Sequence, residues 1–451
     1  MDSINYNGKE FISKLMATAL PLALQNLMLA SVAAADALML GHQDQNLMSA
    51  VSLATQIQFV QNLFIIAITT VESIFGAQYW GKKDRESLDR IFCISLKLNA
   101  VVSIAFFSGC FFFPRFLMMI FTNESELIPI GVGYLQISAW SYLLTGISQT
   151  YIAMMKVTGH PGRSAAISST AVIINIALNA VFIFGLLGAP KMDAKGAALA
   201  TLIARIVELV WSVGNSYRKN YIHPSLKFMF SRSKQIFADF MKTLGPVIGA
   251  SLFWGIGLTS YSAFMGHLGT DATAANSVAA VIRDLMCCFC NGLAGAAGIV
   301  IGNELGAGNL EKGKIYGQKI LKVVLVASGV ISIMMFAFVP LVDVLIKLEP
   351  LAKKYLIQMM LINSVYMYGR SLNTIVINGI FACGGDTLFD VYSLAVCMWC
   401  LAVPLAALGT FAFHWPVFVV YSCTCIDEVG KIPWVLHHFR KYKWVKNLTR
   451  D

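Results

Sequence analysis

Charge is what this chain is short of. Asp, Glu, Lys and Arg make up 13% of its 451 residues, about half the ~25% of an ordinary soluble domain. That scarcity excludes a water-soluble globule. The ten cysteines fall almost wholly inside apolar runs, so no disulfide framework is readable. Cys397-x-x-Cys400 lacks the second ligand pair a metal site needs, and reads as buried small hydrophobes. The amino terminus, MDSINYNGKE, has no apolar signal region and no A-x-A site, so the first span is expected to act as the insertion signal. No intramembrane His/Cys/carboxylate ligand set and no nucleophile–base pairing supports an enzyme. The formal charge is +10, but the bases lie between apolar runs rather than along one amphipathic face. Nucleic acid is therefore not an expected partner.

Apolarity is what the chain has in abundance. Hydrophobic residues make up 57% and the mean hydropathy is +0.67. A spanning helix needs about 20 apolar residues. Twelve such runs are predicted, at 15–40, 49–75, 92–114, 130–155, 164–186, 196–217, 243–266, 273–301, 320–346, 355–381, 388–411 and 414–436. With both termini in the cytoplasm, 24 Lys and Arg lie inside and 6 outside. The positive-inside rule selects that orientation.

The two halves repeat at an offset of 225 residues. Pro21, Gly41, His42, Ala50, Ser52, Ala54, Ile57, Phe64, Gly81, Gly159 and Ser168 recur as Pro246, Gly266, His267, Ala275, Ser277, Ala279, Ile282, Phe289, Gly306, Gly384 and Ser393. Six spans per half is an even number, so both copies enter the membrane the same way. The predicted fold is an all-α polytopic membrane protein of twelve transmembrane helices, in two parallel six-helix repeats about a pseudo-twofold along the membrane normal. The expected domains are an amino-terminal lobe (1–217), a cytoplasmic linker (218–242), a carboxy-terminal lobe (243–436) and a basic cytoplasmic tail (437–451).

Polar residues at bilayer depth are costly, about 2.5–3.5 kcal/mol for a charge on insertion scales, and normally face a cavity or a partner. Asp36 lies in span one, on one helical stripe with Gln25; its repeat partner is Tyr261. An acid there is a candidate reversible proton site or a ligand for Na⁺. Asn175 and Asn179 share a face of span five, either facing Asp36 or an ion, or bonding helix to helix. Span two aligns Gln58, Gln61 and Glu72, either lining an aqueous cavity or, for Glu72, meeting the basic loop at 82–90. In the second half, Arg283 stands beside Asp284, and adjacent helical residues need not pair. Asn363, Tyr366, Arg370 and Asn373 form one stripe of span ten. These bases either make a cationic half-cavity or lock carboxylates of other helices. Arg205 and Glu208, three apart, read as a structural pair. The unpaired acids thus fall in the first copy, and the second trades acids for the bases Arg283 and Arg370.

Four segments carry a resemblance. They are Pro21 through Asp36 to Gly41; Lys156-Val-Thr-Gly159-His-Pro161-Gly-Arg163-Ser; Gly302-Asn-Glu-Leu-Gly306-Ala-Gly308; and Gly384-Gly-Asp386-Thr387. With the duplication, they make the chain resemble the multidrug and toxic compound extrusion (MATE) family along essentially its whole length. The resemblance implies two six-helix lobes around a cleft. It implies efflux of organic compounds by alternating access, driven by inward proton or sodium flow. Asp36, Asn175 and Asn179 occupy the positions of the family's amino-lobe cation site. Many members carry Asp at the position of Asn179. Sodium-linked members often carry acids near Ser251 and Ser371, where this chain has Ser251, Arg370 and Ser371.

The expected function is therefore a secondary antiporter in the cell membrane, acting on small molecules as a monomer among lipids. It would need no cofactor and would couple to H⁺ or Na⁺, with Na⁺ at Asp36 the one metal site to consider. The alternative is a flippase for lipid-linked saccharides or lipids in the same superfamily, with Arg283 and Arg370 meeting an anionic headgroup.

Overall fold

A computed structural model describes residues 8–41, 45–230, 233–345 and 348–450, with the side chains at 33, 34, 36–38, 41, 45, 226, 230 and 343–345 outside the described set. Nearly all of it is helical, with no strand among the described residues. In the first half the long helices are α1 (Gly8–Gly41), α2 (Gln45–Lys82), α3 (Arg85–Phe112), α5 (Leu127–Val157), α6 (Pro161–Phe184) and α7 (Asp193–Ser216), with a short α4 (Pro114–Phe121) between α3 and α5. A small helix α8 (Leu226–Phe230) lies in the linker. The second half has α9 (Lys234–His267), α10 (Thr270–Gly306), α11 (Leu310–Leu345), α12 (Pro350–Asn373), α13 (Leu388–Leu394), α14 (Val403–Ala407) and α15 (Val417–Arg440). Helix α12 runs on through a π-helical stretch, Thr374–Phe381, and α13 is joined to α14 by π-helical Ala395–Ala402, the rod ending in a second such stretch, Leu408–Ala412.

These twelve rods coincide with the twelve predicted spans. Ten are long and apolar enough to cross a bilayer by length and composition. The other two are α12, whose most apolar stretch, Thr374–Phe381, lies in its π-helical continuation, and α15, which is interrupted by Asp427, Glu428 and Lys431. Most rods overrun their apolar runs. At about 1.5 Å per residue, the 38 residues of α2 reach well beyond a ~30 Å hydrocarbon core.

Local chemistry sets several ends. Asp84 caps α3 by accepting from the Ser87 amide at 3.0 Å, which satisfies an otherwise orphan donor. Prolines open α4, α6 and α12, where the missing N–H costs nothing. Helix α6 stops at Gly185, whose φ of +70° is a left-handed conformation that favours glycine. Pro21 and Pro246, a repeat pair, interrupt α1 and α9 at equivalent points.

The helices pack as two units. One comprises Met1–Ala23, Ala77–Lys83 and Gly245–Asp451; the other comprises Leu24–Gly76 and Asp84–Leu244. The start of α1 and the last turns of α2 thus pack with the carboxy-terminal helices: Phe11, Leu15 and Ala19 join the core built around Ile301, Met367, Ile380 and Trp444. The other unit has its own core around Leu40, Ala54, Leu135, Tyr142 and Ile183.

Candidate functional site

In the unit spanning Leu24–Gly76 and Asp84–Leu244, polar groups line one face of α6. Ser164, Ser168, Asn175 and Asn179 step by 4, 7 and 4 and so share a helical stripe. Gln25 of α1 is buried against the first two: its Nε2 donates to Ser168 Oγ at 2.8 Å and its Oε1 accepts from Ser164 Oγ at 3.5 Å. Two turns on, Asn179 Nδ2 donates to Asn175 Oδ1 at 3.3 Å, and Asn175 Nδ2 donates to Thr201 Oγ1 of α7 at 3.0 Å. Both asparagines are buried. Asp36 lies on α1, with its side chain outside the described residues. The structure thus brings Asn175 and Asn179 together, and it places Gln25 about 10 Å further along α6 by helical rise.

The amide stripe of α2 does not act as one feature. Gln61 is buried and donates to the Tyr142 carbonyl of α5 at 2.8 Å, whereas Gln58 is only half-buried. Glu72 is fully buried, and neither carboxylate oxygen has a hydrogen-bond partner. Arg205 and Glu208 do pair, at 2.5 Å. Gln149 Nε2 adds a bond to Glu208 at 2.7 Å.

In the other unit the stripe of α12 meets α15. Arg370 Nη1 pairs with Glu428 Oε1 at 2.7 Å. Asn373 Nδ2 donates to Glu428 twice, to Oε2 at 2.8 Å and to the backbone carbonyl at 2.7 Å. Lys431 Nζ lies 3.5 Å from the same carboxylate. Two turns before Glu428, Tyr421 donates to Asn363 Oδ1 at 3.0 Å. The Arg370 guanidinium also sits 5.5 Å from the Trp254 ring centroid of α9, within cation–π range. Tyr366 is buried within electrostatic reach of Arg283 and Arg370. Asp427, buried beside Glu428, accepts from the Glu428 amide at 2.7 Å.

Arg283 and Asp284, neighbours that need not pair, do so here, Nε to Oδ1 at 3.1 Å; a guanidinium is long enough to fold back along the helix surface to its neighbour. One expectation is corrected: the second half does not trade its acids for bases. The carboxy-terminal half keeps acids on α15, as Asp427 and Glu428, and Glu428 locks Arg370. The signal was present, since two acids and a lysine interrupt the last apolar run. Partners 58 residues apart have no periodicity that would join them.

Comparison with known proteins follows the same outline. The sequence profile of the family described as MatE matches residues 21–181 and 246–408, one segment in each half. The chain is 26% identical over 382 residues to the uncharacterized transporter YisQ of Bacillus subtilis (strain 168), covering 84% of this chain and 83% of that one. It is 26% identical over 451 residues to the probable multidrug resistance protein NorM of Pasteurella multocida (strain Pm70), covering 90% of each. Among solved structures, a MOP superfamily transporter from Pyrococcus furiosus aligns with a TM-score of 0.87 at 16% identity, over 98% of this chain and 99% of that one. The Vibrio cholerae MATE transporter VcmN, in a mutant form, aligns with a TM-score of 0.88 at 14% identity, over 97% and 99%. At such identities the structural likeness establishes the fold.

Proposed function

Since the chain belongs to the MatE family of multi-span membrane transporters, we propose that it exports organic compounds from the cell as a secondary antiporter, by alternating access driven by inward flow of protons or Na⁺. The observation that carries the reading is the buried ladder Asn179–Asn175–Thr201 on α6 and α7. It presents amide oxygens and nitrogens in the same packing unit as the part of α1 that carries Asp36. Asp36 is the coupling acid in this proposal. Taking up H⁺ or Na⁺ neutralises it, and the neutral and charged forms favour different packings of α1. Substrate and ion must each bind the two states differently for one to drive the other.

The flippase alternative rests on free cationic side chains. Arg370 is held by Glu428 and Arg283 by Asp284, so neither base is spare for a phosphate, and the exporter reading is preferred. The orientation with both termini cytoplasmic in the cell membrane, and action as a monomer on small molecules, belong to the same proposal. The positive-inside count supports the orientation.

The test is uptake and efflux in proteoliposomes under an imposed pH gradient or an imposed Na⁺ gradient. One of the two should drive transport by wild-type protein, and Asp36→Asn should abolish it with insertion unchanged. Gradient-driven transport that persists in Asp36→Asn would refute the coupling role.

A further inference from the structure

We propose that Glu72 of α2 is a second proton-binding site of this exporter, with Lys156 of α5 as its counter-charge. The proposal rests on the antiport reading above and adds a site to it. Four acids are buried among the described residues: Glu72, Glu208, Asp427 and Glu428. Three are answered. Glu208 has Arg205, Gln149 and Ser148; Glu428 has Arg370, Lys431 and Asn373; Asp427 has a backbone amide. Glu72 alone has no donor on either oxygen. Buried carboxyl groups are ordinarily hydrogen-bonded, so an orphan of this kind needs an explanation.

The surroundings supply one. Ile68, Val71, Ile74 and Phe75 around Glu72 on α2 are all buried and apolar. Gly76, one turn on, packs against Val157 of α5 and Leu88 of α3, so this stretch of α2 lies against the end of α5 and the start of α3. Lys156, next to Val157, interacts electrostatically with Glu72 and with Glu208, yet it closes an ion pair with neither. Among the described residues the charge that acts on Glu72 is Lys156, although α3 also carries Arg85 and Lys97, and α9, which meets α2 through Phe75 and Phe240, carries Asp239 and Lys242. On α3, Arg90 pairs with Glu86 at 2.5 Å and Asp89 accepts from the Ser225 amide at 3.0 Å; on α7, Arg205 is held by Glu208. Lys156 is thus the cation placed to answer Glu72.

Two states of the site follow. Protonated, the Glu72 carboxyl is neutral and matches its apolar walls, and Lys156 is left to the field of Glu208. When the O–H bond breaks and the proton leaves to water, the carboxylate needs a partner, and drawing in Lys156 tightens α2 against α5. Glu72 stands five residues before Ala77, the residue at which α2 passes from one packing unit to the other. A change of charge there acts on α2 at that transition.

The experiment is pH-difference infrared spectroscopy of the full-length protein in proteoliposomes, reading the carbonyl stretch of protonated carboxyl groups. Wild type should lose a band on alkalinisation that is absent from Glu72→Gln. Lys156→Met should displace the midpoint of that band, and Lys156→Arg should restore it. A Glu72→Gln spectrum identical to wild type across the titration overturns the proposal, as does a Lys156→Met midpoint equal to that of wild type. Should Glu72→Gln fail to insert, Glu72→Asp serves in its place. It should retain the band at a shifted frequency, and an unshifted band overturns the assignment. The antiport reading is judged separately, by gradient-driven transport in Asp36→Asn. Its failure leaves the Glu72 band in place, and a missing Glu72 band leaves Asp36 coupling untouched.

Discussion

Gly81 lies against the backbone carbonyl of Asn303, and 225 residues on, Gly306 lies against that of Gln78. Asn303 is itself the repeat partner of Gln78. The ends of α2 and α10 therefore cross reciprocally, each glycine meeting the other copy three residues upstream. A Cβ at either position would overlap the facing carbonyl, so only glycine permits backbones this close. Gly81→Ala and Gly306→Ala should each destabilise by about 1–3 kcal/mol or more through overpacking. Gly249, with open space around its would-be Cβ, is the control: Gly249→Ala should leave thermal stability in detergent unchanged or slightly raised. Equal melting temperatures for Gly81→Ala and Gly249→Ala would contradict the crossing.

The carboxy-terminal segment reinforces that crossing. Gln78 Nε2 donates to the Cys383 carbonyl at 2.7 Å and the Lys446 carbonyl at 3.1 Å, and its Oε1 accepts from the Leu448 amide at 2.6 Å. Lys82 Nζ donates to the Arg450 carbonyl at 2.7 Å. Trp444 is fully buried, stacked 5.4 Å from Phe439. The segment read from sequence as a basic tail is thus a packed strap across the end of α2. Trp444→Ala should cost about 3–5 kcal/mol, the usual range for a large aromatic removed from a core. Gln78→Ala should cost less, with a loss of protease resistance confined to residues 441–451. Limited proteolysis followed by mass spectrometry reads both.

Arg370 and Glu428 provide a cycle. Removing one member of a buried pair strands the other charge, at about 3–5 kcal/mol. Arg370→Met and Glu428→Gln should each lower the melting temperature, and the double variant should be less destabilised than the sum of the two, because Arg370 is then no longer stranded and only Lys431 is left without its carboxylate. Lys431, 3.5 Å from Glu428, should make Glu428→Gln the worse single variant, since it strands two cations. Strict additivity of the two single effects would show that the pair is not coupled.

The sequence disclosed these relationships unevenly, for physical reasons. The bilayer forces long apolar helices, so the spans could be counted from hydropathy alone. The stripe of Asn363, Tyr366, Arg370 and Asn373 was visible because helical periodicity is local. Its partners were not: Glu428 and Tyr421 lie on another helix, and nothing in the spacing of two spans joins them. The glycine pair at 81 and 306 stood out as a repeat, but the carbonyls facing it required coordinates. The π-helical stretches at 374–381, 395–402 and 408–412 left no mark in an apolar sequence, since one extra residue per turn changes no residue type.

His160 offers a pH test away from the spans. It lies between α5 and α6, its ring stacked 4.0 Å from that of Tyr221 and its Nδ1 buried without a partner. Burial disfavours the imidazolium and pushes its pKa below the ordinary histidine value, which is about 6.5. The sign follows from linkage. Below that ordinary value the unfolded chain binds a proton that the folded protein resists, so stability falls as pH drops through it. The loss levels off once pH passes the lowered value of the folded state. His160→Gln, which cannot titrate, should flatten this part of the profile between neutral and mildly acidic pH while leaving the remainder set by the carboxylates. Melting temperatures of wild type and His160→Gln across that range give the comparison, and parallel curves would show that the stack on Tyr221 accommodates the charged ring as readily as the neutral one.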